Sequence, residues 1–146
     1  MYTVKEAAEI LGVSSHTVRY YDDQGLVPGD NRDARGNRAF DDMAMEWLFI
    51  AVTLRETGMP LSEVRRYEEL YARGGRTVRE RLRIMEDQRE RLLAQMAGLR
   101  VSLELLERKV AHYERLAAGE PDEWDHAYMQ DRKSTRLNSS HGSASR

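Results

Sequence analysis

Arg19, Tyr20 and Tyr21 stand together in the stretch HTVRYYDDQGLV, His16 to Val27, on one turn of a predicted helix. Phenol rings ordinarily go inside, so a permanent charge beside two of them calls for a partner or a structural reason. Elsewhere, residue types that do chemistry are sparse. The chain has no cysteine, which removes disulfides, thiolate metal sites, thiol redox sensing and cysteine nucleophiles. His126 with Asp122, Glu123 and Asp125 comes nearest to a metal-ligating group, but carboxylates on such a polar segment are usually only solvated. There is no phosphate-binding glycine loop, paired-histidine motif or nucleophile elbow. These residues predict a binding protein, not an enzyme, with no metal and no cofactor.

The totals bound the partners. With 146 residues, 40% of them hydrophobic and 33% charged, the chain suits one ordinary domain or a small domain plus a long helix. A mean hydropathy of −0.72 is too polar for one large core. Net charge is −2. In the first forty residues Lys5, Arg19, Arg32, Arg35 and Arg38 face Glu6, Glu9, Asp22, Asp23, Asp30 and Asp33. Bulk electrostatics therefore does not announce nucleic-acid binding, and any such function must rest on placement. No signal peptide is visible and no apolar run approaches membrane-spanning length, so the expectation is a soluble cytoplasmic protein without a membrane partner.

The elements that would position Arg19 and its neighbours are short. Thr3 and Glu6 have capping-box spacing, and Val4, Ala7, Ala8 and Leu11 follow at helical intervals until Gly12. Ser14 or Ser15 then caps a second helix running to about Gln24 and stopped by Gly25. Two helices joined by so tight a turn predict a helix-turn-helix. LVPGDNRDARGNRAF follows, punctuated by Pro28, Gly29 and Gly36, and suits a small hairpin or wing turning near DARG. Arg32, Arg35, Asn37 and Arg38 fall on it. A third helix, capped by Asp41 or Asp42 and ending at Gly58, offers Met45, Leu48, Phe49, Val52 and Leu54 to the core. A fourth offers Leu61, Val64 and Leu70 and ends at Gly74-Gly75.

From Arg76 the pattern becomes a heptad seam. Val78, Leu82, Met85, Arg89, Leu92, Met96, Leu99, Leu103, Leu106, Val110, Tyr113 and Ala117 recur at intervals of four and three. A helix this long cannot bury its stripe on a small domain alone, so the economical reading is a homodimer through a coiled coil. The other reading is a helix folding back on its own domain. Gly98, which costs about 1 kcal/mol against alanine in a helix, marks a possible bend. After Leu116 order is expected to fade, and RKSTRLNSSHGSASR has the composition of translated cloning DNA.

The helix-turn-helix at the start, VRYYDDQGL directly after it, GNRAF in the wing, two further helices and a heptad helix together resemble the MerR family of bacterial transcription regulators. The resemblance covers roughly residues 2–117. It implies a mostly α fold, a winged helix-turn-helix (1–73) followed by a long dimerisation helix (76–117) in an antiparallel coiled coil. A short segment (118–131) and a non-native, disordered tail (132–146) complete the expected division.

The resemblance also implies roles. Ser15 and His16 would read base edges from the start of the recognition helix, with Thr17 either a contact or a packing residue. The guanidinium of Arg19 would hold phosphate or a guanine edge, and Tyr20 a phosphate. Tyr21 has two readings, a DNA contact or a wedge against the wing. Arg38 matches the family's backbone-contacting arginine, and Phe40 stands where tyrosine is usual, which assigns it to packing. Arg32, Arg35 and Asn37 would reach flanking phosphates or remain solvated surface. Leu82, Met85, Leu92, Met96, Leu99, Leu103, Leu106 and Val110 would pair two chains. Family dimers sit on an inverted repeat in double-stranded promoter DNA and distort its spacer, which affects RNA polymerase indirectly. A small organic effector near Trp124, His126 and Tyr128 is one reading of the C-terminal segment. The alternatives are aromatic packing or a regulator without a ligand. A coiled-coil adaptor that uses its winged helix for protein binding is the competing function.

Overall fold

Thr3 begins the fold as a cap. The computed structural model describes residues 1–122 and 126–141. In it the Thr3 hydroxyl accepts from the Glu6 N–H, and the Glu6 carboxylate accepts from the Thr3 N–H, both at 3.1 Å. That box opens α1 (Val4–Leu11), which ends where Gly12 turns left-handed at φ +67°. Ser14 then caps α2 (Ser15–Asp23) by accepting from the Thr17 N–H at 3.1 Å. The predicted helix-turn-helix is present, with Ser14 rather than Ser15 as the cap.

Both helices bury one narrow face. Val4, Ala7 and Ala8 of α1 meet Val18 and Tyr21 of α2, and the small alanines allow close approach. The strand β1 (Tyr2–Thr3) pairs antiparallel with β2 (Ala39–Phe40), in the register Tyr2 to Phe40 and Thr3 to Ala39. The wing between α2 and β2 turns at DARG as expected, where the Gly36 N–H donates to the Asp33 carbonyl at 3.0 Å. Asn31 and Ala39, Arg32 and Arg38, and Asp33 and Asn37 close it in antiparallel order. Phe40 is fully buried, in keeping with a packing role.

Asp41 caps α3 (Asp42–Glu56), which sends Ala44, Leu48, Ala51 and Val52 inward. Met45 and Leu54 lie half-buried at the edge of that core. Phe49 does not join it and is 57% exposed. Leu48 already fills the inward direction, and its neighbour points about 100° away. Next, α4 (Leu61–Ala72) contributes Val64 and Leu70, with Leu61 packed alongside.

A single 3-10 turn, Gly75–Thr77, leads into α5 (Val78–Ala117), a helix of 40 residues. Its first turns use the face Thr77, Arg81, Ile84, Gln88 and Arg91. Ile84 packs on the core, the Gln88 amide donates to the Thr57 carbonyl at 2.9 Å, and Arg91 pairs with Glu63. The heptad seam lies one residue further on, rotated by about 100°. Its large apolar members stay open, from 38% at Leu92 to 70% at Leu99, and Met85 is half-buried. The helix runs through Gly98, where the chain divides into two units, Met1–Gly98 and Leu99–Arg146.

In the second unit Gly119 follows α5 with φ +87°, and the His112 ring lies 3.0 Å from the Asp122 carboxylate. A further helix, α6 (His126–His141), then corrects the expectation of a disordered tail for 132–141. No glycine or proline interrupts that run. The hydroxyls of Thr135 and Ser139 bond carbonyls four residues back, and the described side chains are solvated. Residues 142–146 lie outside the described part. Among the described residues no helix is long and apolar enough to cross a membrane.

Two predictions follow from this packing. Tyr21→Ala removes a core ring and is expected to cost about 3 kcal/mol, whereas Tyr20→Ala on the open face should stay within about 0.5 kcal/mol; urea unfolding compares them. Glu68 is 5% exposed, and its Oε1 has no partner. Burial pushes its carboxyl up to about 8, with Arg65 pulling the other way. The folded chain therefore keeps a proton that the unfolded chain releases near 4.5. Stability from this group is full below that value and falls as pH rises through about 8. Glu68→Gln should match the native melting temperature in acid and exceed it in mild alkali. Parallel melting curves across the window would refute this.

Candidate nucleic-acid interface

The core residues of α2 decide what the helix shows outside. Val18 and Tyr21 face inward, so His16, Arg19 and Tyr20, spaced at i, i+3 and i+4, share the exposed face. Tyr21 is 7% exposed and packs in the core. Its ring lies 5.9 Å from that of Tyr20, inclined by 49°. One tyrosine anchors the helix and the other stands on the anchor with its face to solvent. Ser15 and Thr17 are half-buried at the N-terminus. The Thr17 hydroxyl lies 2.9 Å from that of Ser14, so it completes the cap, and its packing reading gains ground.

The wing tip is stiffened from within. The Asp33 carboxylate accepts from the backbone N–H groups of Arg35 and Asn37, both at 2.9 Å. The Arg32 guanidinium reaches across to the Gly36 carbonyl at 3.0 Å. All three side chains named in sequence, Arg32, Arg35 and Asn37, lie exposed on this loop.

Arg38 behaves differently. One terminal nitrogen donates to the Arg19 carbonyl at 3.0 Å and lies 3.2 Å from the Asp22 carboxylate. The other donates to Asp23 at 2.9 Å. Its side chain is only 19% exposed. The geometry departs from a free backbone-contacting arginine, because two carboxylates already hold the charge. Asp22, Asp23 and Asn31 were not singled out by sequence reasoning. No local pattern signals a contact between residues 15 or 19 positions apart.

Asp22 and Asp23 are matched by Arg38, Asp33 is folded into its turn and Glu6 into its capping box. Among the described residues no carboxylate forms an ion pair with Arg19, Arg32 or Arg35. Arg19, Arg32 and Arg35 are thus exposed on α2 and the wing with no ion-pair partner there. Among these same residues no cluster of three metal-ligating groups occurs, and Asp122 is engaged with His112. Trp124 lies outside the described residues, as do the side chains of His126 and Tyr128.

Comparison with known proteins bears on this geometry. Residues 2–70 match the model of the MerR HTH family regulatory protein. A Haemophilus influenzae protein called an uncharacterized HTH-type transcriptional regulator is 41% identical over 117 residues, 80% of this chain and 87% of the relative. Among solved structures, HiNmlR, a MerR family regulator lacking the sensor domain and bound to promoter DNA, superposes with a TM-score of 0.71. It is 41% identical, with 82% of this chain and 91% of that chain covered. A MerR family regulator from Bacillus thuringiensis gives 0.64 at 29% identity, covering 75% and 96%. The family match spans the helix-turn-helix, the wing and most of α4, and the relatives extend it along α5. The chain belongs to the MerR family of transcriptional regulators.

Proposed function

We propose that this regulator binds promoter DNA as a homodimer, each copy laying α2 in the major groove with its wing on the flanking backbone. The observation that carries the reading is the outward face of His16, Arg19 and Tyr20, set beside a wing whose exposed Arg32 and Arg35 side chains form no ion pair among the described residues. The N-terminal turn of α2 offers Ser15 and His16 to base edges, and Arg19 supplies the strongest donor. Tyr20 adds a stiff ring and a hydroxyl without charge. Asn37, Arg32 and Arg35 contribute sequence-independent grip.

The second half of the proposal is the seam. Leu82, Met85, Leu92, Met96, Leu99, Leu103, Leu106 and Val110 recur at heptad spacing along α5, and all but Met85 are exposed. A second α5, antiparallel to the first, would cover that row and fix the distance between two recognition helices. Two such helices fit an inverted repeat, and the dimer would act on RNA polymerase through the shape of the spacer DNA. The DNA-bound relative lacks a sensor domain. That supports a regulator whose DNA-binding unit and coil act without a separate effector domain. No observation favours the adaptor alternative.

Arg19→Ala is expected to lower affinity for duplex DNA at least about tenfold and to reduce the salt slope by about one. Fluorescence anisotropy on the full chain across a salt series measures both, and unchanged binding would remove α2 from the interface. Separately, Leu99→Lys in the most open part of the seam should turn a sedimenting dimer into a monomer. A native chain that sediments as a monomer at micromolar concentration would refute the coil.

A further inference from the structure

We propose that Arg38 is a positioning residue, a strut that fixes the wing to the carboxyl end of the recognition helix, and that Asp22 and Asp23 are its intended partners. The inference rests on the DNA-binding reading and assigns roles within it to residues that reading leaves aside.

Three observations converge on the strut. The guanidinium takes a main-chain carbonyl, that of Arg19, in the last turn of α2, together with both carboxylates that follow it. A cation there is favoured by the negative end of the helix dipole. Asp22 is held from a second side, because the Asn31 amide donates to its other oxygen at 2.8 Å and to the Val27 carbonyl at 3.0 Å. The Asn31 main-chain carbonyl in turn accepts the Ala39 N–H at 2.9 Å, so the base of the wing and the helix end share one polar network. Arg65 of α4 fastens the same end by donating to the Gln24 carbonyl at 2.7 Å. Two arginines from different elements therefore grip the carboxyl end of α2, while its amino end stays open.

Burial decides between strut and phosphate contact. Arg38 and Asp22 are 19% and 17% exposed, so the pair is largely withdrawn from water, and removing one member leaves the other poorly satisfied. A phosphate approaching this guanidinium would meet two carboxylates already paired with it. Arg19, Arg32 and Arg35 face no such competition.

The two roles predict opposite signs for one substitution. Asp22→Asn removes a negative charge beside the bound phosphates, so charge alone predicts tighter binding. The strut predicts weaker binding, by about tenfold, because the wing loses its fixed angle. The test measures anisotropy of a duplex enriched from a random pool by the native chain, using full chains well below their melting temperatures. Arg38→Gln and Asp22→Asn should each weaken binding with the salt slope unchanged. The double variant should be no weaker than either single one. Arg38→Lys keeps the charge but cannot span both acids, and should fall between. Tighter binding by Asp22→Asn, or a slope lowered by about 0.9 in Arg38→Gln as for a lost phosphate contact, would overturn the proposal. A native chain that enriches no duplex would instead overturn the DNA-binding reading on which it rests.

Discussion

Val18 and Tyr21, three residues apart, fasten α2 to the core, and the outward features of the interface follow from that attachment. A nine-residue helix is too short to be stable by itself and takes its orientation from what it buries. With Val18 and Tyr21 inside, helical geometry sends His16, Arg19 and Tyr20 outside. The adjacent tyrosines thus divide the work, one spent on packing and the other presented on a helix that cannot roll. Arg38 and Arg65 add polar restraint at the carboxyl end. The helix is held by its core face and its tail, and shows its head.

The same economy governs α5. Its face from Thr77 to Arg91 belongs to the DNA-binding unit, and the heptad seam begins one position later. Because consecutive residues on a helix differ by about 100°, both faces coexist along the same turns without competing. Gln88 and Arg91 hold the helix through polar bonds, which leaves the leucines and methionines of the seam uncommitted. In the proposed dimer, the element that pairs two chains would then be rooted directly in each reading head.

Legibility in the sequence followed the range of the interactions. The caps at Thr3 and Asp41, the turns at Gly12 and DARG, and the seam of α5 are local or strictly periodic, and they were readable. Phe49 was misassigned because α3 is apolar on nearly every side, so periodicity does not say which side is the core. The helix at 126–141 was missed because it lacks an apolar stripe. Arg38 was legible as a wing arginine but not as a strut. Its partners lie 15 to 19 residues away, and a charged side chain carries no mark of whether its partner is phosphate or carboxylate. Tyr21 shows the converse. Sequence left two roles open, and the fold buries its ring in the core.

The central claim is that two copies of one outward helix face read DNA symmetrically across the coil. Selection of duplexes from a random pool with the full chain tests it most directly. An enriched inverted repeat, with both half-sites needed for tight binding, is the result the account predicts. A half-site enriched without its symmetric mate would contradict the pairing of two α5 helices. Failure of a folded dimer to enrich any sequence would contradict the role given to His16, Arg19 and Tyr20.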